Sequence, residues 1–311
     1  MTVKGAPLNV VLVTGASGFI GSHCLQPLVA RGYDVHALRS DSPEIEEDGV
    51  TWERADLLDE VATARLMDAV RPTHLLHLAW FATPGLFPTA LENFRWTQAS
   101  LSLYRSFVEC GGRRVVTAGT SYEYDWRFGY CSEAVTPCVP NTAYGTCKKA
   151  LGELVGSYAE SAGLSSAWAR VFFLYGPREY PERLVSSVIR SLLAGRPAKC
   201  SHGDQVRDYL HVQDVADAFV AILDSGIVGA INIGSGDPVT LKSIVSTIGA
   251  KLGRPELVEL GAIPARANDA ALVVADVSRL AGEVGWRPSI GLDEGLDRTI
   301  EWWRDDMGIA E

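Results

Sequence analysis

Apolar runs and polar, glycine-rich breaks alternate along the chain with the spacing of strands and helices. Val10 to Val13 is an unbroken apolar run, as a parallel strand covered on both faces requires. It is too short to cross a membrane. Gly15, Gly18 and Gly21 follow, and a helix opens at the third glycine. A Gly32 turn leads to a second strand, Asp34 to Leu38, ending at Arg39-Ser40. After the acidic loop 41–49 the pattern predicts a short strand at Val50 to Trp52 and a helix opening at Asp56-Leu57-Leu-Asp59. His74 to Ala79 reads as another buried strand, Ala90 to Cys110 as a helix stopped by Gly111-Gly112, and Arg114 to Ala118 as the next strand. This alternation implies an α/β fold of Rossmann type: a doubly wound parallel sheet, with ligands at the carboxyl ends of its strands.

Beyond about residue 170 the pattern loosens. Helices are expected from Arg183 to Leu193 and from Leu241 to Leu252, with Gly195-Arg-Pro197 between them. We expect a dinucleotide-binding domain over 1–170, with returning segments near 205–235, and a smaller, mainly substrate-binding lobe over 171–311.

In such a fold the glycine turn cradles a pyrophosphate. Gly15 and Gly18 allow the turn and the close approach, Gly21 lets the helix pack on the strand, and the helix N-terminus faces the phosphates. Cofactor contacts are therefore expected from Gly15, Ser17, Gly18, Phe19, Ile20 and Gly21, and from Asp56, Leu57, Leu78 and Ala79 at later strand ends. The end of the second strand meets the adenosine ribose. An acidic residue there suits a 2′-hydroxyl and an arginine suits a 2′-phosphate. Arg39 and Ser40 thus favour NADP(H), while the nearby Asp41 leaves NAD(H) open.

Composition narrows the partners. Of 311 residues 47% are hydrophobic and 21% charged, as in a folded enzyme. The formal charge of −10 argues against nucleic acid and anionic membranes. The start of the chain runs into the first strand without a leader pattern, and cytoplasmic location is expected. The six cysteines form no Cys-x-x-Cys pair, and no metal site is expected.

The candidate chemistry stands after the fifth strand. Thr120 and Ser121 bring hydroxyls to its carboxyl end, and Tyr144 lies four residues before Lys148 on a helix, which places both on one face. A cation beside a phenol favours the phenolate and makes it a usable acid or base near neutral pH.

Together, Gly15-Ala-Ser-Gly18-Phe-Ile-Gly21, Thr120, Tyr144-x-x-x-Lys148, Arg170-Val-Phe-Phe-Leu-Tyr175-Gly-Pro177, Arg207-Asp-Tyr-Leu-His-Val-Gln-Asp214 and Asn232-Ile-Gly-Ser-Gly236 resemble the extended short-chain dehydrogenase/reductase family, which mostly modifies nucleotide-linked sugars. The resemblance implies that Tyr144 exchanges the proton, Lys148 binds the nicotinamide ribose and tunes Tyr144, and Thr120 holds the reacting oxygen. It also implies that Arg207 and Arg266 grip a substrate diphosphate, with Trp80 and Ser121 near the sugar, and that the chain forms a homodimer through two helices per subunit. Departures narrow the reaction. The family's 4,6-dehydratases carry Asp-Glu after the threonine, where this chain has Ser121 and Tyr122. Phe173 replaces a common substrate-touching asparagine. With Arg39, these features point to NADPH-dependent reduction of a nucleotide-linked 4-keto-6-deoxy sugar at C4. The rivals are a 4-epimerase holding NAD tightly and a catalytically silent NADP-sensing regulator.

Overall fold

A computed structural model describes residues 9–39, 47–265 and 269–309 of the chain. Among the described residues, seven strands form a parallel central sheet: β1 (Val10–Thr14), β2 (Asp34–Arg39), β3 (Val50–Arg54), β4 (His74–His77), β5 (Arg114–Thr120), β6 (Ser165–Val171) and β7 (Gly229–Ile233). Their order is β7-β6-β5-β4-β1-β2-β3. The chain leaves β1 toward β2 and β3, then returns to lay β4 on β1's other side, with Leu12 opposite Leu75 and Val13 opposite both Ala37 and Leu76. The order therefore reverses beside β1, which is where such sheets open a ligand crevice. Val11, Leu12 and Val13 have no exposed surface, as their unbroken apolar run requires.

Among the described residues, four α-helices lie along the chain between β1 and β6: α1 (Gly21–Ala30), α2 (Glu60–Val70), α3 (Glu92–Glu109) and α4 (Ala143–Ala162). Two begin later than the apolar pattern suggests. Asp59 caps α2 by accepting from the Val61 and Ala62 amides at 2.9 and 3.1 Å, so the helix starts at Glu60, while Asp56 accepts from Leu58 in the turn before it. Turns around Thr83–Leu86 and Leu86–Thr89 delay α3 to Glu92. Leu103 and Phe107 of α3, Leu151 of α4 and Trp168 of β6 close one core over Leu12, Leu75 and Val115.

Two α4 glycines one turn apart meet different surroundings. A Cβ on Gly152 would stand 2.8 Å from the Trp168 indole, whereas one on Gly156 would meet nothing within 4 Å. Gly156→Ala is expected to stabilise the protein by about 1 kcal/mol through helix propensity. Gly152→Ala should destabilise it by roughly 1–3 kcal/mol through overpacking. Urea unfolding midpoints moving in opposite directions check the pair.

The chain divides into two compact units. One comprises Met1–Glu123, Cys138–Arg170 and Ala216–Ile231, the other Tyr124–Pro137, Val171–Val215 and Asn232–Glu311. In the second unit the strand Val206–His211 pairs with Phe173–Tyr175 and Leu272–Ala275 in parallel and with Pro238–Thr240 antiparallel. Its core gathers Tyr175, Ile189, Ile244, Ile248, Leu296 and Trp303, from strand 173–175 and the helices Leu184–Leu193, Leu241–Lys251 and Leu292–Asp306. Two family-like motifs are structural here. Asp208, fully buried, accepts from the amides of Ser235, Gly236 and Ala275 at 2.6, 3.0 and 3.1 Å. Asp214 accepts from the amides of Ser289 and Ile290. No helix among the described residues is long and apolar enough to cross a membrane.

Candidate functional site

The glycine turn is built from backbone. Gly15 takes φ +69° and lies so close to the end of β4 that a Cβ would stand 2.8 Å from the Ala79 nitrogen. Gly18 is exposed, and its amide donates to the Gly15 carbonyl at 2.9 Å. A Cβ on Gly21 would stand 2.1 Å from the same carbonyl oxygen, so only glycine lets α1 begin there. Unlike α2 and α4, α1 has no side-chain cap, and its first turn carries no acidic residue. Its positive end thus remains suited to an anion. Ser17, Phe19 and Ile20 are half-buried along the turn.

Beneath it runs a buried polar chain. The Thr14 hydroxyl oxygen accepts from the Leu78 and Ala79 amides and bonds His77 Nδ1 at 2.7 Å, while His77 Nε2 reaches the Ser100 hydroxyl at 2.9 Å. Burial, and then the charge of Lys148, push the His77 imidazole down to about 3, so it is neutral. His77 thus ties the glycine turn to α3 through hydrogen bonds alone.

Arg39 ends β2 and lies opposite Arg54 at the end of β3. Two guanidinium-bearing positions therefore share the sheet edge where the sequence places the adenosine ribose. Leu57 is buried and Asp56 lies exposed just after β3. Ser40 and Arg266 lie outside the described residues.

Thr120, Tyr144 and Lys148 belong to one unit, and the packing that gathers them is specific. Thr142 caps α4 by accepting from the Gly145 amide at 3.0 Å, and the Tyr144 amide donates to Pro88 O at 3.1 Å. A Cβ on Gly145 would stand 2.3 Å from Tyr122 O, so α4 rests directly on the turn that follows Thr120. Lys148 is 2% exposed; its ammonium donates to Ala118 O on β5 at 2.8 Å and sits 3.8 Å from the centre of the Trp80 ring. Burial lowers its pKa to about 7, against an upward pull from Glu123. A lysine this poised can lend or withhold its charge near neutral pH. The Tyr144 ring meets Phe87, Tyr122 and Trp80 edge-on at 4.9, 5.7 and 6.4 Å. Trp80 is fixed by its indole N–H, which donates to Asn93 Oδ1 at 2.9 Å. Ser121 is buried beside Thr120. The arrangement brings the Tyr144 phenol and the Lys148 ammonium to one strand end, among the rings of Trp80, Phe87 and Tyr122.

The family-model match spans residues 11–234. The chain belongs to the NAD dependent epimerase/dehydratase family. The dTDP-glucose 4,6-dehydratase of Xanthomonas campestris pv. campestris is 28% identical, over 94% of this chain and 92% of its own. Among solved structures, Thermus thermophilus UDP-glucose 4-epimerase in complex with NAD is 29% identical with a TM-score of 0.83, covering 95% of this chain and 99% of that one. MoeE5 in complex with UDP-glucuronic acid and NAD is 33% identical, with a TM-score of 0.83 and the same coverage. The chain is thus a Rossmann-like, oxidoreductase-type member of a nucleotide-sugar-modifying family that depends on NAD.

The second unit holds Arg207, and its guanidinium is already engaged. It is 3% exposed, pairs with Asp269 at 2.6 Å, donates to its own strand at Val206 O, and lies 5.3 Å from the Phe173 ring centre. A diphosphate would have to draw it away from Asp269. Of the aromatic residues that follow Thr120, Tyr122 stands against Tyr144, while Trp126 packs on Phe173 within the second unit. Sequence reading passes over Glu123, His77, Gly145 and Arg54. Their only signals are a carboxylate within an aromatic run, a histidine within an apolar strand, the glycine after Tyr144 and a second strand-end arginine. Among the described residues no cluster of three or more potential metal ligands occurs.

Proposed function

We propose that the chain is a nucleotide-sugar 4-epimerase: it oxidises a sugar hydroxyl at C4 and reduces the resulting ketone from the opposite face. The observation that carries this is the single acid–base pair at the strand end. The two positions after Thr120 are Ser121 and Tyr122, and the carboxylate that follows, Glu123, is fully buried and held by Thr120 N, Trp168 Nε1 and Arg170 Nε at 2.8, 2.9 and 2.7 Å. A carboxylate so enclosed has no free face with which to eliminate water from a sugar. Relatives that epimerise at C4 support this reading over the net C4 reduction expected from sequence.

The uncapped α1 terminus and the glycine turn fit a dinucleotide pyrophosphate, and Lys148 would hold the nicotinamide ribose. The bound dinucleotide supplies reversible hydride acceptance. The chain's own groups do the rest. Tyr144 takes the proton from the C4 hydroxyl as hydride leaves C4, then returns it to the same oxygen when hydride comes back to the other face. Thr120 fixes that oxygen, Lys148 favours the phenolate, and Trp80 with Tyr122 keeps water out. Each oxidation is matched by a reduction, so no cofactor is consumed. Homodimerisation belongs to the same proposal, supported by exposed Leu101 on α3 and by Leu154 and Tyr158 on α4.

Incubating purified protein with UDP- or dTDP-hexoses and no added cofactor, followed by proton NMR of the anomeric region, is expected to give the C4 epimer. A second reading rests on Arg39 facing Arg54, which suits a 2′-phosphate: net reduction by NADPH. Turnover that requires stoichiometric NADPH, with NADPH affinity falling about tenfold or more in Arg39→Ala, would establish that reading instead.

A further inference from the structure

We propose that Trp80 is a positioning residue of this site: its ring face, fixed by Asn93, holds the Lys148 ammonium in the direction from which it serves the cofactor. This role rests on that proposed for Lys148, and it differs from the place beside the sugar that the family resemblance implies for Trp80. An ammonium carries three N–H donors. On Lys148 the Ala118 carbonyl of β5 takes one at 2.8 Å, and the centre of the Trp80 ring lies 3.8 Å from Nζ, well within cation–π range. Lys148 is 2% exposed, so water hardly competes with either contact. With two directions taken, the third N–H has one way left to point.

A loose indole could not fix a direction, and this one is clamped. Its N–H donates to Asn93 Oδ1 at 2.9 Å. Asn93 has no exposed surface, and its amide nitrogen donates to Phe87 O at 2.8 Å and to Ala90 O at 2.9 Å. Those two carbonyls admit only the amide nitrogen, because an amide oxygen turned toward them would meet no donor. Asn93 Oδ1 must therefore face Trp80. The rings of Trp96 and Tyr144, each centred 6.4 Å from that of Trp80, pack against the indole as well.

The same asparagine anchors what meets Tyr144. Phe87, whose carbonyl it holds, sets its ring 4.9 Å from that of Tyr144, and the next carbonyl, Pro88 O, accepts from the Tyr144 amide at 3.1 Å. Segment 80–90 thus presents one aromatic ring to Lys148 and another to Tyr144 from a single buried anchor. The indole nitrogen is a donor only, and Asn93 has it. Trp80 therefore has no hydrogen bond left to give a sugar, whereas its ring face already holds a cation.

The chain has only six lysines, so Lys148 can be followed by NMR in protein labelled at the lysine ε positions, with Lys148→Met giving the assignment. A methylene held against an indole face is shielded, and the Lys148 ε signal is expected upfield of the other lysines. Trp80→Leu should return it to their position, while Trp80→Phe, which keeps a ring face without the indole N–H, should retain part of the shift. In turnover, Trp80→Leu is expected to lower kcat about tenfold, the size of a buried cation–π contact, with KM for the nucleotide sugar unchanged. Trp80→Phe should recover most of that loss. A Lys148 signal lying among the other lysines in the unaltered protein overturns the proposal, and that result needs no variant to fold. Full kcat with a raised KM in Trp80→Leu overturns it too, and returns Trp80 to the sugar. The NMR measurement uses no substrate: an upfield signal that is lost in Trp80→Leu, in a protein that converts no nucleotide sugar, would sustain the positioning role and sink the assigned reaction.

Discussion

Tyr144→Phe is expected to lower kcat for epimerisation by about 10³-fold, within the range that general acid–base groups contribute. The phenylalanine ring keeps the edge contacts with Phe87 and Tyr122 at 4.9 and 5.7 Å, and the backbone hydrogen bond to Pro88 is untouched. Only the hydroxyl is lost, so thermal unfolding and dinucleotide affinity should stay close to those of the unaltered protein. This combination distinguishes a proton-transfer role from a packing role. A packing residue of this size, truncated, would lose stability before chemistry. Steady-state turnover alongside fluorescence titration of dinucleotide checks it, and a variant within tenfold of full turnover removes Tyr144 from proton transfer. The effect should exceed that of any single change at Trp80 or Ser121, which border the reacting groups without holding the proton.

What is legible in the chain follows how local the physics is. The β1 run, the glycine trio and the alternation up to β5 report burial on both faces and a turn that needs no side chains. Both are properties of neighbours in sequence, and they yield the central sheet and its ligand edge. Tyr144 and Lys148 are legible because four residues make about one helical turn. The helix start expected at Asp56 falls early because Asp56, Asp59 and Glu60 all look like a first turn, and only the Asp59 cap decides between them. Glu123 is hidden for a different reason. Its partners lie at Thr120, Trp168 and Arg170, and nothing within an aromatic run says that a carboxylate will fold back between two glycines to meet them. Gly145 carries its meaning only through Tyr122, and Arg54 only through the β2–β3 register. The reaction itself is half legible. The absence of a dehydratase acid–base pair can be read directly, whereas the choice between net reduction and epimerisation hangs on Arg39 alone.

The other large effect is expected at Gly21. A Cβ there would stand 2.1 Å from the Gly15 oxygen, 2.8 Å from the Gly15 carbonyl carbon and 2.8 Å from Ala16 Cα, all of them backbone atoms. No side chain can swing away, so α1 must retreat from the turn. The turn is secured by Gly18 N to Gly15 O at 2.9 Å and Ser22 N to Gly18 O at 3.0 Å, and a retreat strains both bonds. Gly21→Ala should therefore cost roughly 3 kcal/mol of stability, the upper end of overpacking losses. It should also weaken dinucleotide binding by about a hundredfold, because the helix terminus no longer meets the pyrophosphate. Gly32→Ala is the matched control: its φ of +79° makes alanine unfavourable, yet nothing lies within 4 Å of the added carbon. That change should cost only about 1 kcal/mol and leave dinucleotide binding intact. Thermal unfolding and NADH titration of both variants separate close helix approach from backbone conformation. If Gly21→Ala bound NADH as tightly as Gly32→Ala, the close approach would not be what forms the cofactor site.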